Sequence, residues 1–568
     1  MKPRYFFSLL ALVALSSITG CAQNATSSSS SEAPVSSDSS FSSTPLSSSS
    51  SVSSSTWVDD DDLPLQHDDS ENYAFADSTN EKGSMHYEIF VRSFYDSNGD
   101  GIGDLNGVKE KLPYLAEMGY RSLWLMPICP SPSYHGYDIA NYYAINSDYG
   151  TLDDFDALVA AAKTYNIDIM IDMVLNHCSV THPYFTQSYA DYISGNTASD
   201  SKADWFTWGD GGQHSYKGTY YESRFGADMP DFNLDSTGVR AEMDKIIKFW
   251  IGHGVKGFRL DAVLYYYYNS TTPNVNFLTW LMSTARQYDP NFYMVGECWA
   301  DEAIVNSYYA SSCNSFFRFG TATGGAMNIV SLVKGYTRSE YFAESLENNE
   351  AQMHKANAEA YSSYFLSNHD QDRVSKNFTT PETYKAACSL YALLPGTSYT
   401  YYGEEIALIG VRTTGSTTDD LSDVKRRLPM IWSSSDKTGE CKFPETNRPE
   451  LNTTVQVKIG VAEQLATPFS LLNHYKMMIH LRNKYSFIKN AILTSAVAKL
   501  ATSERSVLAY TLTSGSDSIT IVHNFASHNV EVSAPATKIL EQINTTHRLP
   551  ELANGKLKLG AFSSVIMA

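Results

Sequence analysis

The stretch HGVKGFRLDAVLYYYY, His253–Tyr268, reads for most of its length as a buried strand, with Val255, Phe258, Leu260 and Val263 as its apolar positions. Two opposite charges, Arg259 and Asp261, interrupt that run. They stand two positions apart, and on a strand of period 2 both side chains point to the same face. The stretch therefore predicts a strand that carries a charge pair on one side of an apolar layer. The purpose of that side emerges from the runs around it.

Seven further runs have the same look: YEIFVRSF (87–94), SLWLMPI (122–128), IDIMIDMV (167–174), FYMVGE (292–297), SFFRFG (315–320), SYFLSNHD (363–370) and TSYTYYGEE (397–405). Helical patterns such as TLDDFDALVAAAKTYN (151–166) stand between them. Strands alternating with helices pair in parallel through crossovers, and eight such units predict a closed (β/α)8 TIM barrel over 73–487. The gap from 178 to about 254 is too long for one loop and one helix, which predicts an inserted subdomain over 178–232 after the third strand. Beyond the helical SLLNHYKMMIHLRNKY (470–485), short alternating bursts such as SVLAYTL and SITIVHNF predict a C-terminal antiparallel β-sandwich over 488–568.

The chain has 568 residues, of which 43% are hydrophobic and 18% charged, and its formal net charge is -20. Such a balance excludes nucleic acid as partner, because phosphate binding needs clustered Lys and Arg. It suits a monomer acting on a neutral or cationic partner. Lys2 and Arg4 precede the apolar run YFFSLLALVAL, which predicts a signal peptide over 1–20. The run ends in ITGC (Ile18–Cys21), similar to a bacterial lipobox, so Cys21 is the expected lipidation site. The Ser-rich segment that follows, with Asp59 to Asp62, has too little apolar area to offset its ordering entropy and predicts a tether over 21–72. Together these features predict an exported protein held by a membrane anchor at the cell surface or outer membrane. None of the other six cysteines forms a CxxC pair, and their pairing stays open.

In parallel barrels the chemistry lies at the C-terminal ends of the strands. Strand three ends in Asp172, Asn176 and His177, strand four in Arg259 and Asp261, strand five in Glu297, and strand seven in Asn368, His369 and Asp370. Polar clusters ending four strands of one barrel point to a site. Two carboxylates across a cleft can cleave a glycosidic bond, one as nucleophile and one as general acid. Arg259 would hold Asp261 ionised, while a less compensated setting would keep Glu297 protonated.

The motifs DMVLNH, GFRLDAV, VGE and SNHDQD, in this order, resemble the four signature regions of the α-amylase family of glycoside hydrolases, and MPDFN (Met229–Asn233) resembles a fifth. The resemblance covers roughly 87–485. It implies Asp261 as nucleophile, Glu297 as acid/base and Asp370 as transition-state stabiliser. It also implies that His177, Arg259 and His369 contact the sugar. In YHGYD, Tyr137 matches the tyrosine that stacks beneath that sugar, with Asp138 beside it. YHGYD and Ala262 resemble the α-1,4-acting members, which implies starch, maltooligosaccharides or related α-glucans as substrates. An α-glucosidase or a transglycosylase with the same machinery is the alternative, and a starch-binding protein without activity is a distant third.

Where many α-amylases carry Lys-His after the nucleophile, this chain has Leu264 and Tyr265, so Tyr265 is the expected stacking contact for the leaving sugar. The same departure weakens Asn176 as a calcium ligand. DSNGDGIGD instead places oxygen donors at alternate positions, from the side chains of Asp96, Asn98, Asp100 and Asp104 and the carbonyl of Ile102. A Gly-bent loop of this kind suits a hard cation, here Ca2+.

Overall fold

The computed structural model describes residues 85–412, 423–443, 457–545 and 549–568. The expected signal peptide, Cys21 and the Ser-rich tether lie outside the described residues.

Eight parallel strands close into a barrel: β1 (Met85–Ile89), β2 (Ser122–Leu125), β3 (Asp168–Met173), β4 (Gly257–Leu260), β5 (Tyr293–Gly296), β6 (Ser315–Phe317), β7 (Tyr361–Phe365) and β8 (Thr397–Tyr401). Each strand is hydrogen-bonded to its neighbours in sequence order, and β8 closes on β1 through Met85 to Glu88. Each falls within or overlaps one of the eight apolar runs, and (β/α)8 closure is the observed topology.

The register explains the interior. Trp124 pairs with Met170, Asp172 with Arg259, and Arg259 with Val295, so these side chains share the inner face. Trp124, Met170, Val295, Phe317, Phe365 and Tyr399 form one buried cluster. His86 stacks on Tyr399 with 4.4 Å between ring centroids. One step further along the same face stand Glu88, Asp172, Arg259 and, past the end of β5, Glu297. The period of 2 thus carries each strand from apolar filling to a charged mouth.

Helices cover the outside and their ends are capped by their own sequence. Thr151 and Asp154 make a capping box at the start of Leu152–Thr164, and Ser236 accepts from the Val239 N–H at the start of Thr237–Gly252. Between β3 and the latter helix lie a helix, Pro183–Ser194, and a hairpin, His214–Tyr216 with Thr219–Tyr221. A bridge from His177 to Asp231 returns this segment to the end of β3, and one from Phe206 to Phe232 closes it on itself.

The C-terminal strands form two antiparallel sheets, as expected from the sequence. A five-stranded sheet contains the hairpin Val507–Ser514 with Asp517–Asn524, and a three-stranded sheet centres on Lys556–Leu559. Val507, Ala509, Val522, Val532, Leu557 and Val565 pack between them as a separate core. The six described cysteines are all buried and unpaired. Among the described residues no helix is long and apolar enough to cross a membrane.

Candidate active site

Arg259, 1% exposed, is the hub of the mouth. Its Nη1 donates to Asp172 Oδ1 at 3.0 Å and also contacts Asp261 Oδ1, while Nη2 lies 3.2 Å from Glu297 Oε1. One guanidinium therefore touches three carboxyl groups and cannot neutralise them all. Compensation is shared between Asp261 and Glu297, and is not reserved for Asp261 as the sequence reading held.

Burial is the largest influence on the Glu297 carboxyl and pushes it upward. Arg259 opposes that push, and the negative fields of Asp261 and Asp370 add to it. Its Oε2 accepts the Ala262 N–H at 2.9 Å, which fixes the carboxyl against the end of β4. Ala262 holds a φ of 50°, a left-handed conformation that costs a residue with a Cβ. Burial also raises the Asp172 carboxyl, to about 7, against the pull of Arg259. Tyr137 donates to Asp172 Oδ2 at 2.9 Å, and Trp124 does so at 3.3 Å.

A second chain of contacts runs through His369. Its Nδ1 meets Glu88 Oε1 at 2.5 Å, and its Nε2 lies 2.9 Å from Asp370 Oδ2 and 2.7 Å from the Tyr137 hydroxyl. Burial works against a charged imidazole, but the carboxylates of Asp370 and Glu88 outweigh it and raise His369 to about 9. Burial likewise opposes ionisation of Asp370, yet His369, Arg427 and Arg259 together hold its carboxyl far below the usual range. Arg427 Nη2 donates to Asp370 Oδ1 at 2.9 Å. His369 is thus an imidazolium set between two carboxylates, with Tyr137 parallel to it at 5.5 Å.

The remaining predicted residues fall into two groups. His177 is at the mouth; burial lowers it to about 4, so it is neutral, and its Nε2 is buried with no partner among the described residues. Tyr265 packs on Phe225 at 4.7 Å and on Tyr268 at 5.7 Å, forming an aromatic wall beside Ala262. Asp138, by contrast, is 1% exposed and accepts the hydroxyls of Ser131 and Ser133 within its own loop. Asn176 donates to Asp231 Oδ1 at 2.9 Å, and Arg224 approaches the same carboxyl at 4.0 Å.

Glu88, Trp124 and Arg427 were missed. Glu88 carried the signal that revealed Arg259, a charge inside an apolar run. Arg427 stands in KRRLPMIW, far from the motifs in sequence, and no spacing pointed to it.

The expected calcium donors stand in the loop after β1. Asp96 accepts the Gly99 and Gly101 N–H groups at 2.7 Å each, and Asn98 accepts from Asp100 at 2.9 Å. Asp100 accepts from Ile102 at 2.7 Å, and Asp104 accepts from Ser97 and Gly107. Among the described residues no group of three or more His, Cys, Asp or Glu converges as a metal cluster. The donors are all oxygen, each retains acceptor capacity beyond these bonds, and the set fits a hard cation by chemistry.

Comparison with known proteins agrees with the geometry. The α-amylase catalytic-domain model matches residues 88–491, and the model of the α-amylase SusG C-terminal domain matches 507–566. α-Amylase 3 of Dictyoglomus thermophilum is 34% identical over 500 residues, covering 86% of this chain and 93% of its own. A glucan 1,6-α-glucosidase of Streptococcus pneumoniae is 28% identical, covering 79% of this chain and 91% of its own. The solved structure of Eubacterium rectale Amy13B superimposes with a TM-score of 0.77 at 33% identity, covering 86% of this chain and 95% of its own. With a family model spanning most of the barrel and a relative of this closeness over nearly its whole length, the chain belongs to the α-amylase family of glycoside hydrolases.

Proposed function

We propose that this protein is a retaining α-amylase that hydrolyses internal α-1,4 bonds of starch and maltooligosaccharides. The observation that carries the reading is Arg259 touching both Asp261 and Glu297. A single guanidinium spanning two carboxyls suits the ~5–5.5 Å separation of retaining enzymes better than the ~6.5–9.5 Å of inverting ones.

In this mechanism the Glu297 carboxyl, raised by burial, gives its proton to the glycosidic oxygen as the C1–O bond breaks. The Asp261 carboxylate attacks C1, forming a glycosyl ester and releasing the shortened chain. Glu297, now ionised, takes a proton from water, whose oxygen attacks C1 and frees Asp261. Arg259 stabilises both carboxylates as their charges exchange. Asp370, held ionised by His369 and Arg427, accepts hydrogen bonds from the sugar hydroxyls, and His177 offers its free Nε2. Tyr137 and Tyr265 supply faces for the rings.

The α-1,4 preference rests on YHGYD, on Ala262 after the nucleophile and on similarity to the named α-amylases. An α-glucosidase or transglycosylase is the second reading, favoured by the replacement of Lys-His with Leu264 and Tyr265 and by the 1,6-glucosidase relative. Early products from maltoheptaose separate them. Wild type is expected to give several shorter maltooligosaccharides, and Asp261→Asn none. Products longer than the substrate would favour transfer, glucose with maltohexaose as its co-product would favour a glucosidase, and full activity in Asp261→Asn would remove Asp261 as nucleophile.

Asp96, Asn98, Asp100, Asp104 and the Ile102 carbonyl would hold Ca2+, which would brace the loop after β1 and take no part in proton transfer. Chelation is expected to lower the melting temperature with little effect on residual turnover; an unchanged melting curve would make the loop a turn without metal. Cys21 would carry the lipid, and Cys21→Ser is expected to release the protein from the membrane fraction.

A further inference from the structure

The reaction as drawn leaves one buried charge of the mouth without a task. Glu88 interrupts the apolar run YEIFVRSF between Tyr87 and Ile89, both fully buried, and is itself 1% exposed. Too deep to touch a sugar, it acts only through what it touches. That partner lies 281 positions away: Glu88 Oε1 stands 2.5 Å from His369 Nδ1.

Packing alone does not call for a carboxyl here, because a buried ion pair is often no more stabilising than apolar side chains of the same volume. What Glu88 adds is a fixed hydrogen and a charge. As the acceptor facing Nδ1, it keeps a hydrogen on that nitrogen. A neutral imidazole in this tautomer would turn the Nε2 lone pair toward Asp370 Oδ2, 2.9 Å away, and two acceptors would face each other. Only the imidazolium donates on both sides.

The groups around the ring show why a second carboxylate is needed. The ring is 0% exposed, and burial works against its charge. Asp370 beside it and Asp172 on β3 favour the cation, but Asp172 is also tied to Arg259. Arg259 on β4 and Arg427 beyond β8, whose Nε donates to the His369 carbonyl at 3.2 Å, oppose it. Tyr137 touches Nε2 at 2.7 Å, and Trp124 stands at 76° to the ring; neither carries a charge. Both arginines are committed to carboxyls of the site, so the opposing charge has to come from elsewhere. Glu88 is the group placed to supply it.

We propose that Glu88 is a positioning residue: it keeps His369 a cation from the side away from the sugar, and the cation in turn aims Asp370. The part played by Asp370 rests on the function proposed above; the hold of Glu88 on His369 does not.

Glu88→Gln tests this, since the amide offers Nδ1 an acceptor of the same shape and removes only the charge. The His369 ring is followed by NMR of histidine-labelled protein, its signal among those of the 14 histidines identified by its loss in His369→Gln. The ring is expected to be protonated at pH 7 in wild type, and Glu88→Gln to lower its midpoint by about 1–3 pH units, the effect of one opposite charge in contact. Turnover of maltoheptaose by Glu88→Gln is expected within about twofold of wild type at pH 5.5, where both rings are protonated, and at least about threefold below it at pH 8.5. A neutral ring at pH 7 in wild type, which needs no variant to fold, would overturn the proposal. So would a midpoint that Glu88→Gln leaves unmoved, or a rate loss equal at both pH values, the mark of a merely structural role. A lowered midpoint in a protein whose wild type leaves maltoheptaose intact would uphold the hold of Glu88 on His369 and strike the hydrolase reading.

Discussion

Asp172, Asp261 and Glu297 form one carboxyl cluster at the strand ends of this barrel; Glu404 and Glu405, just past β8, form another. The first surrounds a buried guanidinium and opens to the cleft. The second is dry: Glu404 and Glu405 are 2% and 0% exposed. Glu404 accepts from the Ser367 N–H and hydroxyl at 3.1 and 2.6 Å, and Glu405 accepts the hydroxyls of Tyr87 and Tyr114. Neither makes an ion pair among the described residues. Burial accordingly raises Glu404 to about 8 and raises Glu405 as well, so Glu404 is largely neutral at pH 7. The same residue type is a reacting group where a cation touches it, and a hydrogen-bonded wedge where the nearby guanidinium, Arg373, makes no ion pair with it and burial outweighs its pull.

The largest expected effect breaks the first cluster at its hub. Arg259→Met leaves three carboxyls without their shared cation. It is expected to destabilise the fold by about 3–5 kcal/mol in denaturant titration, as for a buried pair stripped of one partner. Turnover is expected to fall by at least the ~10²–10⁴-fold typical of losing acid–base chemistry. A stable and active variant would mean that the cluster does not depend on its cation.

An intermediate effect comes from pH. His369 rises from 6.5 to about 9 on folding, so its contribution to stability is present in full below about 6.5 and is lost as pH rises through about 9. A melting temperature that falls between those limits in wild type, and flattens in His369→Gln, is the expected result. Asp370 has the opposite sign. Its carboxyl is depressed on folding, so its contribution is present above the ordinary carboxylate range and is lost only in strong acid.

The smallest effect sharpens the contrast. Glu404→Gln replaces a neutral carboxyl with an amide of the same shape and is expected to leave turnover within a few-fold. Glu404→Ala strips the Ser367 N–H of its acceptor, which is expected to cost about 1–3 kcal/mol. Turnover in Glu404→Gln as low as in Arg259→Met would show that the two clusters are not distinct.

The barrel was legible because each strand is a short apolar run, and the cleft because charges interrupt those runs at one end. What stayed hidden depends on folded geometry. The φ of Ala262, which aims its N–H at Glu297, leaves no mark on residue type. Asp138 follows Tyr137 in the chain, but a turn sends its carboxyl to Ser131 and Ser133 and not toward Asp172. Arg427 reaches Asp370 across 57 positions, a contact set by the return of the chain after β8. Nothing in the letters Glu404-Glu405 says that both are dry.

The most direct test of the account is the anomeric form of the first product. Proton NMR of maltoheptaose during the first minutes of hydrolysis reports it before mutarotation intervenes. Double displacement through Asp261 predicts that the α-anomer of the new reducing end appears first. A β-anomer first would mean that water attacks C1 directly, and the assignment of Asp261 as nucleophile would fall.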